Sequence, residues 1–241
     1  MSEQKRADIS IVVPVYNEEE NLPVLIEQLV EVLRPLGKTY EMIFVDDGSK
    51  DRSREILKSL VAKHPQIRIL GFKYNCGESA ALYAGFRGAR GDIVITLDAD
   101  LQNDPKDIPA MLECLKGCDM VTGWRQKRED SWVKRKTSKI ANHIRNSLSG
   151  ESIRDGGCTF RVYRRECLQN LKMYKGMHRF MPTLVKIEGF RVIEIPIAHR
   201  ARQFGVSKYT TWNRMWSAFA DLLAVRWMKS RHIRYEIEER I

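Results

Sequence analysis

No run of 18 apolar residues occurs anywhere in the 241-residue sequence, so no transmembrane helix is expected. Met1 to Ile11 also lacks an apolar signal core, and no signal peptide is read there. Cysteine is scarce. Five residues, an odd number without a repeated close pair, exclude the disulfide framework of a small secreted domain. Cys114 and Cys118 stand four apart, but no second ligand pair follows, so no structural zinc site is expected. Reduced thiols in the cytoplasm are the consequence. Acidic residues are outnumbered, 31 Asp and Glu against 41 Lys and Arg, which leaves a net charge of +10. That balance points to an anionic partner: nucleic acid, a phosphorylated substrate or an anionic membrane surface. No zinc finger or RNP-type aromatic signature accompanies it, which argues against nucleic acid.

What is present alternates. Ile9–Val15, Tyr40–Val45 and Ile67–Phe72 read as strands, and Asp51–Lys63 and Ser79–Ala89 as helices. A further helix, Glu18–Leu33, turns Leu22, Leu25, Ile26, Leu29, Val30 and Leu33 inward. Strands separated by helices of this length imply a mostly parallel sheet with right-handed crossovers. The second half adds a strand near Asp119–Trp124, a basic helix over Trp132–Leu148 and a short strand over Thr159–Tyr163. A helix at Phe180–Glu188, a strand at Arg191–Ile197 and a last helix at Thr211–Ser230 follow. With no repeat or linker, the expectation is one α/β domain over residues 1–210, a Rossmann-like sheet flanked by helices. A C-terminal amphipathic helix would occupy 211–241.

The run Ile93-Val94-Ile95-Thr96-Leu97-Asp98-Ala99-Asp100-Leu101-Gln102 reads as a strand ending in two carboxylates. Strand alternation points Asp98 and Asp100 the same way. Two like charges so close repel unless a cation neutralises them. Mg²⁺ or Mn²⁺, hard ions that accept carboxylate, amide and phosphate oxygens, suits the pair, with Gln102 as a neutral donor. An isolated Asp-x-Asp also fits a solvated turn. In parallel α/β sheets, however, ligands bind outside the carboxyl ends of the strands. Tyr16-Asn17-Glu18 and Asp46-Asp47-Gly48 fall on that same rim. Pro14 and Tyr16 can wall a nucleotide base, while Glu18 and Asp47 offer acceptors to base or ribose. Asp46 by itself fits turn chemistry equally well.

Five segments carry a resemblance: Val13-Pro14-Val15-Tyr16-Asn17-Glu18, Val45-Asp46-Asp47-Gly48-Ser49, Leu97–Gln102, Asp155-Gly156-Gly157-Cys158 and Arg202–Tyr209. Their ordered set, spanning residues 13 to 209, resembles the family 2 glycosyltransferases of GT-A fold. Within that family it is similar to the polyisoprenyl-phosphate group, which uses dolichyl or undecaprenyl phosphate. The resemblance implies an inverting, metal-dependent transfer from a UDP- or GDP-linked sugar to a lipid phosphate. Asp98, Asp100 and Gln102 would hold Mg²⁺ or Mn²⁺, with Asp98 and Asp47 contacting the nucleotide. Val45, Ala99, Arg125, Arg202 and Lys208 join Pro14, Tyr16 and Glu18 around the donor, with Arg125 and Arg202 beside the reacting groups. Arg125, Lys134, Arg135 and Ser138 align with the acceptor-phosphate region, where a guanidinium can bind phosphate bidentately. Lys134 and Arg135 are not separable from sequence. Segments such as Arg161-Val162-Tyr163-Arg164-Arg165 look more like the bacterial members.

The last helix carries Trp212, Met215, Trp216, Phe219, Leu222, Leu223, Val225 and Trp227 with basic residues near its end. It suits an anionic membrane surface or, equally, packing on the core. The expected location is therefore peripheral, on the cytoplasmic face of a membrane, with a membrane-anchoring subunit or self-association left open. A saccharide or protein hydroxyl as acceptor is the alternative; it would require a carboxylate base and not the Arg125, Lys134 and Arg135 cluster.

Overall fold

A computed structural model describes residues 7–126, 153–201 and 211–233, with the side chains of 211–218 left aside. Seven strands form one sheet: β1 (Ile9–Val15), β2 (Tyr40–Asp46), β3 (Ile67–Gly71), β4 (Ile93–Thr96), β5 (Met120–Arg125), β6 (Arg161–Arg164) and β7 (Val192–Ile197). Their order is β3-β2-β1-β4-β6-β5-β7. The strands run parallel except β6, which is antiparallel to both neighbours. The mostly parallel sheet flanked by helices is as expected.

The alternation of β1 decides where the helices go. Ile9, Ile11, Val13 and Val15 face one side, where α1 (Leu22–Leu33), α2 (Ser53–Val61) and α4 (Ile108–Cys114) cover them. Val12, Ile43, Val45 and Val94 face the other, under α3 (Glu78–Gly88), the short α5 (Glu166–Gln169), α6 (Met181–Ile187) and α7 (Thr211–Arg231). Each fully buried aliphatic side chain stabilises the sheet by roughly 1.5–3 kcal/mol. Helix α3 lies close on β1 because Gly85 has no side chain: a Cβ there would come within 2.2 Å of Val12 Cγ1. In α7, Leu222 and Val225 are buried in the second cluster, so this helix packs on the domain through one face.

Two expectations are corrected. Helix α1 begins at Leu22, four residues later than the periodicity suggested. The Glu18 N–H donates to Ser53 Oγ at 2.8 Å and the Glu19 N–H to Asp51 Oδ2 at 3.2 Å, which commits this segment to the neighbouring loop. Strand β4 stops at Thr96, so Asp98 and Asp100 lie in the turn beyond it. Their placement comes from turn geometry, with Leu101 at φ +61°, and not from strand alternation. The basic segment expected as a helix over 132–148 lies outside the described residues.

Candidate active site

The carboxyl ends of β1 and β2 carry two loops that are laced together. The Asn17 N–H donates to Ser49 Oγ at 3.0 Å, and Asn17 Oδ1 accepts from the Lys50 N–H at 2.7 Å. Asp46 is fully buried and accepts from the Ser49 N–H at 3.0 Å and from Arg54 Nε at 2.5 Å. The first carboxylate of the pair thus builds the turn. Gly48 follows at φ +68°, where a Cβ would meet the Tyr74 carbonyl carbon at 2.6 Å, so glycine is required twice over. Asp47 turns the other way. Its Oδ1 accepts from the Cys76 N–H at 2.6 Å, and its Oδ2 accepts from Gly77 N–H at 2.9 Å and Asn75 Nδ2 at 2.8 Å. Burial pushes its carboxyl above the ordinary range in spite of these donors. Three of roughly four acceptor positions are therefore engaged in holding the β3–α3 loop.

Pro14, Tyr16 and Glu18 are partly exposed on this rim. Glu18 accepts from Asn21 Nδ2 at 2.6 Å through Oε2. Val45 and Ala99 are 0% and 2% exposed, so only their backbone can reach a ligand.

At the same edge of the sheet, beyond β4, stands the Asp98–Gln102 turn. Asp98 is partly buried and Asp100 is 8% exposed. Asp98 Oδ2 accepts from Thr159 Oγ1 at 2.5 Å, and the Thr159 carbonyl accepts from Thr96 Oγ1 at 2.6 Å. Burial, then the charges of Glu78 and Asp100, push the Asp98 carboxyl up to about 7, against the pull of Thr159 and Arg125. Asp100 Oδ1 accepts from the Gln102 N–H at 3.2 Å. Gln102 is joined to the chain leading toward Arg202: its carbonyl accepts from Arg200 N–H at 2.9 Å and its Nε2 donates to the Arg200 carbonyl at 3.4 Å.

Arg125 closes the end of β5. Its Nε and Nη2 donate to Asp155 Oδ2 and Oδ1 at 2.7 and 2.9 Å, a bidentate pair largely shielded from solvent. Among the described residues, Nη1 donates to none, which leaves one edge of the guanidinium for an anion. Lys134, Arg135, Ser138, Arg202 and Lys208 lie outside the described residues.

The structure therefore brings Tyr16, Glu18, Asp47, Asp98, Asp100, Gln102 and Arg125 to one rim. It also adds Thr159, Asp155 and Glu78, which the motifs did not single out as site residues. The pairing of Thr96 with Arg161 in antiparallel β4–β6 supplies the missing signal. Continued two residues outward, that register sets Thr159 opposite Asp98.

The residues present fit a divalent cation. Two carboxylates two residues apart, one of them raised by burial and then by its neighbours' charge, favour an opposite charge nearby. Among the described residues no group of three or more His, Cys, Asp and Glu is placed to hold a metal ion by itself.

Comparisons with known proteins bear on the family and the fold. The chain is 41% identical over 204 residues to an undecaprenyl-phosphate 4-deoxy-4-formamido-L-arabinose transferase of Edwardsiella ictaluri, covering 83% of this chain and 62% of the relative. The enzyme of the same name from Pectobacterium carotovorum is 43% identical over 206 residues, covering 84% and 63%. The chain thus spans less than two thirds of these relatives' length. Among solved structures, it resembles glucosyl-3-phosphoglycerate synthase from Mycobacterium tuberculosis, crystallised with Mn²⁺, UDP and phosphoglyceric acid. That match has a TM-score of 0.69 at 18% identity and covers 95% of this chain and 80% of that one. A mannosyltransferase from Pyrobaculum calidifontis, in complex with GDP-mannose and Mn²⁺, superposes with a TM-score of 0.65 at 20% identity, covering 96% and 66%. The sequence profile described as glycosyl transferase family 2 matches residues 10–172, a span that holds both rim loops and the Asp98–Gln102 turn; the chain belongs to that family.

Proposed function

We propose that the protein transfers a sugar from a nucleotide diphosphate sugar to a polyisoprenyl phosphate, with inversion at the anomeric carbon and with Mg²⁺ or Mn²⁺ bound. The observation that carries this reading is the Asp98–Asp100 turn, two carboxylates confined beyond β4 at the sheet edge where β1 and β2 also end. Asp98, Asp100 and Gln102 would hold the cation. When bound, it neutralises the diphosphate and stabilises the departing nucleoside diphosphate. Pro14 and Tyr16 wall the base, and Glu18 and the remaining acceptor position of Asp47 meet its donors. Arg125, oriented by Asp155, presents Nη1 to phosphate, joined by Arg202 and Lys208 on the donor side and by Lys134, Arg135 and Ser138 on the acceptor side.

The lipid acceptor is supported by the names of the relatives and by chemistry. A phosphate monoester with a second pKa of about 6 is mostly dianionic near neutral pH, so it attacks without a dedicated base. Positioning by arginines and stabilisation of the leaving group then carry the rate. Helix α7 supports a membrane-surface location: Phe219, Leu223 and Trp227, four residues apart, are 44%, 45% and 65% exposed. Exposed Arg226, Lys229 and Arg231 flank them, a pattern that suits the cytoplasmic face of an anionic bilayer.

The test is transfer itself. UDP- and GDP-sugars are offered one at a time with Mn²⁺ and undecaprenyl phosphate in detergent, and lipid-linked sugar and released nucleotide are measured. One donor should give product, and EDTA should abolish it. No product with any donor, or transfer to a saccharide hydroxyl that needs no lipid phosphate, refutes the proposal.

A further inference from the structure

Glu78 opens α3 directly after the Asn75–Gly77 loop that Asp47 anchors. The residue before it, Gly77, donates its N–H to Asp47 Oδ2, and the Glu78 charge bears on Asp98. Its carboxylate has a fixed neighbour: Glu78 Oε2 lies 3.4 Å from His178 Nε2, with the two side chains 26% and 11% exposed. On the opposite edge of the imidazole, Nδ1 lies 2.7 Å from Ser79 Oγ. That hydroxyl already accepts the Gly176 N–H at 3.0 Å and the His178 N–H at 3.4 Å. Both lone pairs are thereby used, so its own proton goes to Nδ1. The imidazole proton then sits on Nε2, facing Glu78. Ser79, buried and spent in this way, is no nucleophile, and the Ser79–His178–Glu78 row orients a carboxylate instead of activating a hydroxyl.

The turn bearing His178 is itself pinned. Arg161, 1% exposed, donates through Nη1 to the His178 carbonyl at 2.8 Å and through Nη2 to the Gly156 carbonyl at 3.0 Å. Gly156 adjoins Asp155, which holds Arg125, so one buried cation ties the Glu78 support to the Arg125 support. Such bracing holds the Glu78 carboxylate beside His178, one residue beyond the loop that Asp47 anchors. Carboxylates take hydrogen-bond donors, and a diphosphate offers only acceptors. The base side already has Glu18 and Asp47. Within a nucleotide sugar, the donors left are the ribose hydroxyls, which Glu18 and Asp47 can also meet, and the hydroxyl and N–H groups of the transferred sugar.

We propose that Glu78 accepts hydrogen bonds from the sugar of the donor and so helps decide which sugar the site takes, with His178, set by Ser79, as its positioning residue. This rests on the nucleotide-sugar reading above. The test compares binding of UDP, GDP and a panel of their sugar conjugates by calorimetry in Mn²⁺, for wild type and variants. Glu78→Ala removes a partly exposed side chain from a first helical turn, so the fold is retained. It should leave the affinity for the free nucleotide within about twofold and weaken the preferred sugar conjugate about tenfold or more, the scale of a lost charged hydrogen bond. His178→Phe should reproduce that pattern, and His178→Gln, which keeps an N–H, should be milder. Equal weakening of nucleotide and conjugate, or a sugar preference unchanged in Glu78→Ala, overturns the inference alone. A wild-type protein that binds no nucleotide in Mn²⁺ overturns the functional reading and this inference with it.

Discussion

Replacing Asp98 by Asn removes one of two crowded charges while keeping a side chain able to accept from Thr159. In metal-free protein the Asp98 carboxyl sits at about 7, well above its ordinary 3.8, chiefly through burial and then through Glu78 and Asp100. A group raised in this way favours the folded state while protonated. That contribution is complete below about pH 4 and is lost as the pH rises through about 7. Above that point the wild type carries a buried charge and the Asn variant does not. At 1.36 kcal/mol per pH unit the ceiling is about 4 kcal/mol, and water reaching the partly exposed carboxyl reduces it to about 1–2 kcal/mol. For a chain of this size that is about 2–8 °C in melting temperature. Melting in EDTA should therefore find Asp98→Asn more stable than wild type at about pH 8, with the margin shrinking as the pH falls and nearly gone at about pH 4. Mn²⁺ with nucleotide should reverse the order at the higher pH, because only the wild type gains from binding. Equal or lower stability of the variant at the higher pH would refute the argument from confined charge. Equal stabilisation of both proteins by Mn²⁺ would refute Asp98 as a ligand.

Three further outcomes follow from packing and pairing. Asp155→Ala strands the largely buried Arg125 guanidinium and should cost about 3 kcal/mol in urea unfolding, with much of it restored when Arg125→Met and Asp155→Leu are combined. Gly85→Ala drives a methyl into Val12 and should cost about 1–3 kcal/mol; combined with Val12→Ala, the loss should fall short of the sum of the singles. Glu41→Gln disrupts a carboxylate that accepts from Ser10 Oγ, Arg68 Nη1 and the Arg90 N–H, each at 2.7 Å. Burial would raise that carboxyl, but these donors outweigh it and hold it below its usual 4.5. The wild type should therefore lead by about 1–3 kcal/mol at neutral pH, and the lead should fade as the pH falls below about 4.5.

Much of the site was legible because its motifs sit where parallel strands end. Hydrophobic period located β1 and β2, and that alone put Tyr16 and Asp47 on one rim with the Asp98–Asp100 turn. Period could not show that Asp46 and Asp47 divide their work, one building the turn and the other holding the loop before α3. Their identical chemistry is separated only by which buried N–H groups each meets. The helix start at Glu18 was misread for a related reason: Ser53 and Asp51, far along the chain, claim the backbone donors a helix would need.

By itself, the sequence determined the layered α/β arrangement, the family and the pair of carboxylates that follows β4, because local periodicity and short motifs encode these. Only the tertiary structure decided what surrounds those carboxylates. Thr159 reaches Asp98 through the reversed strand β6, Asp155 orients Arg125 across 30 residues, and His178 stands 100 residues from the Glu78 it faces. Such partners lie far apart in the chain, and no local period records which distant residues a sheet register will bring together.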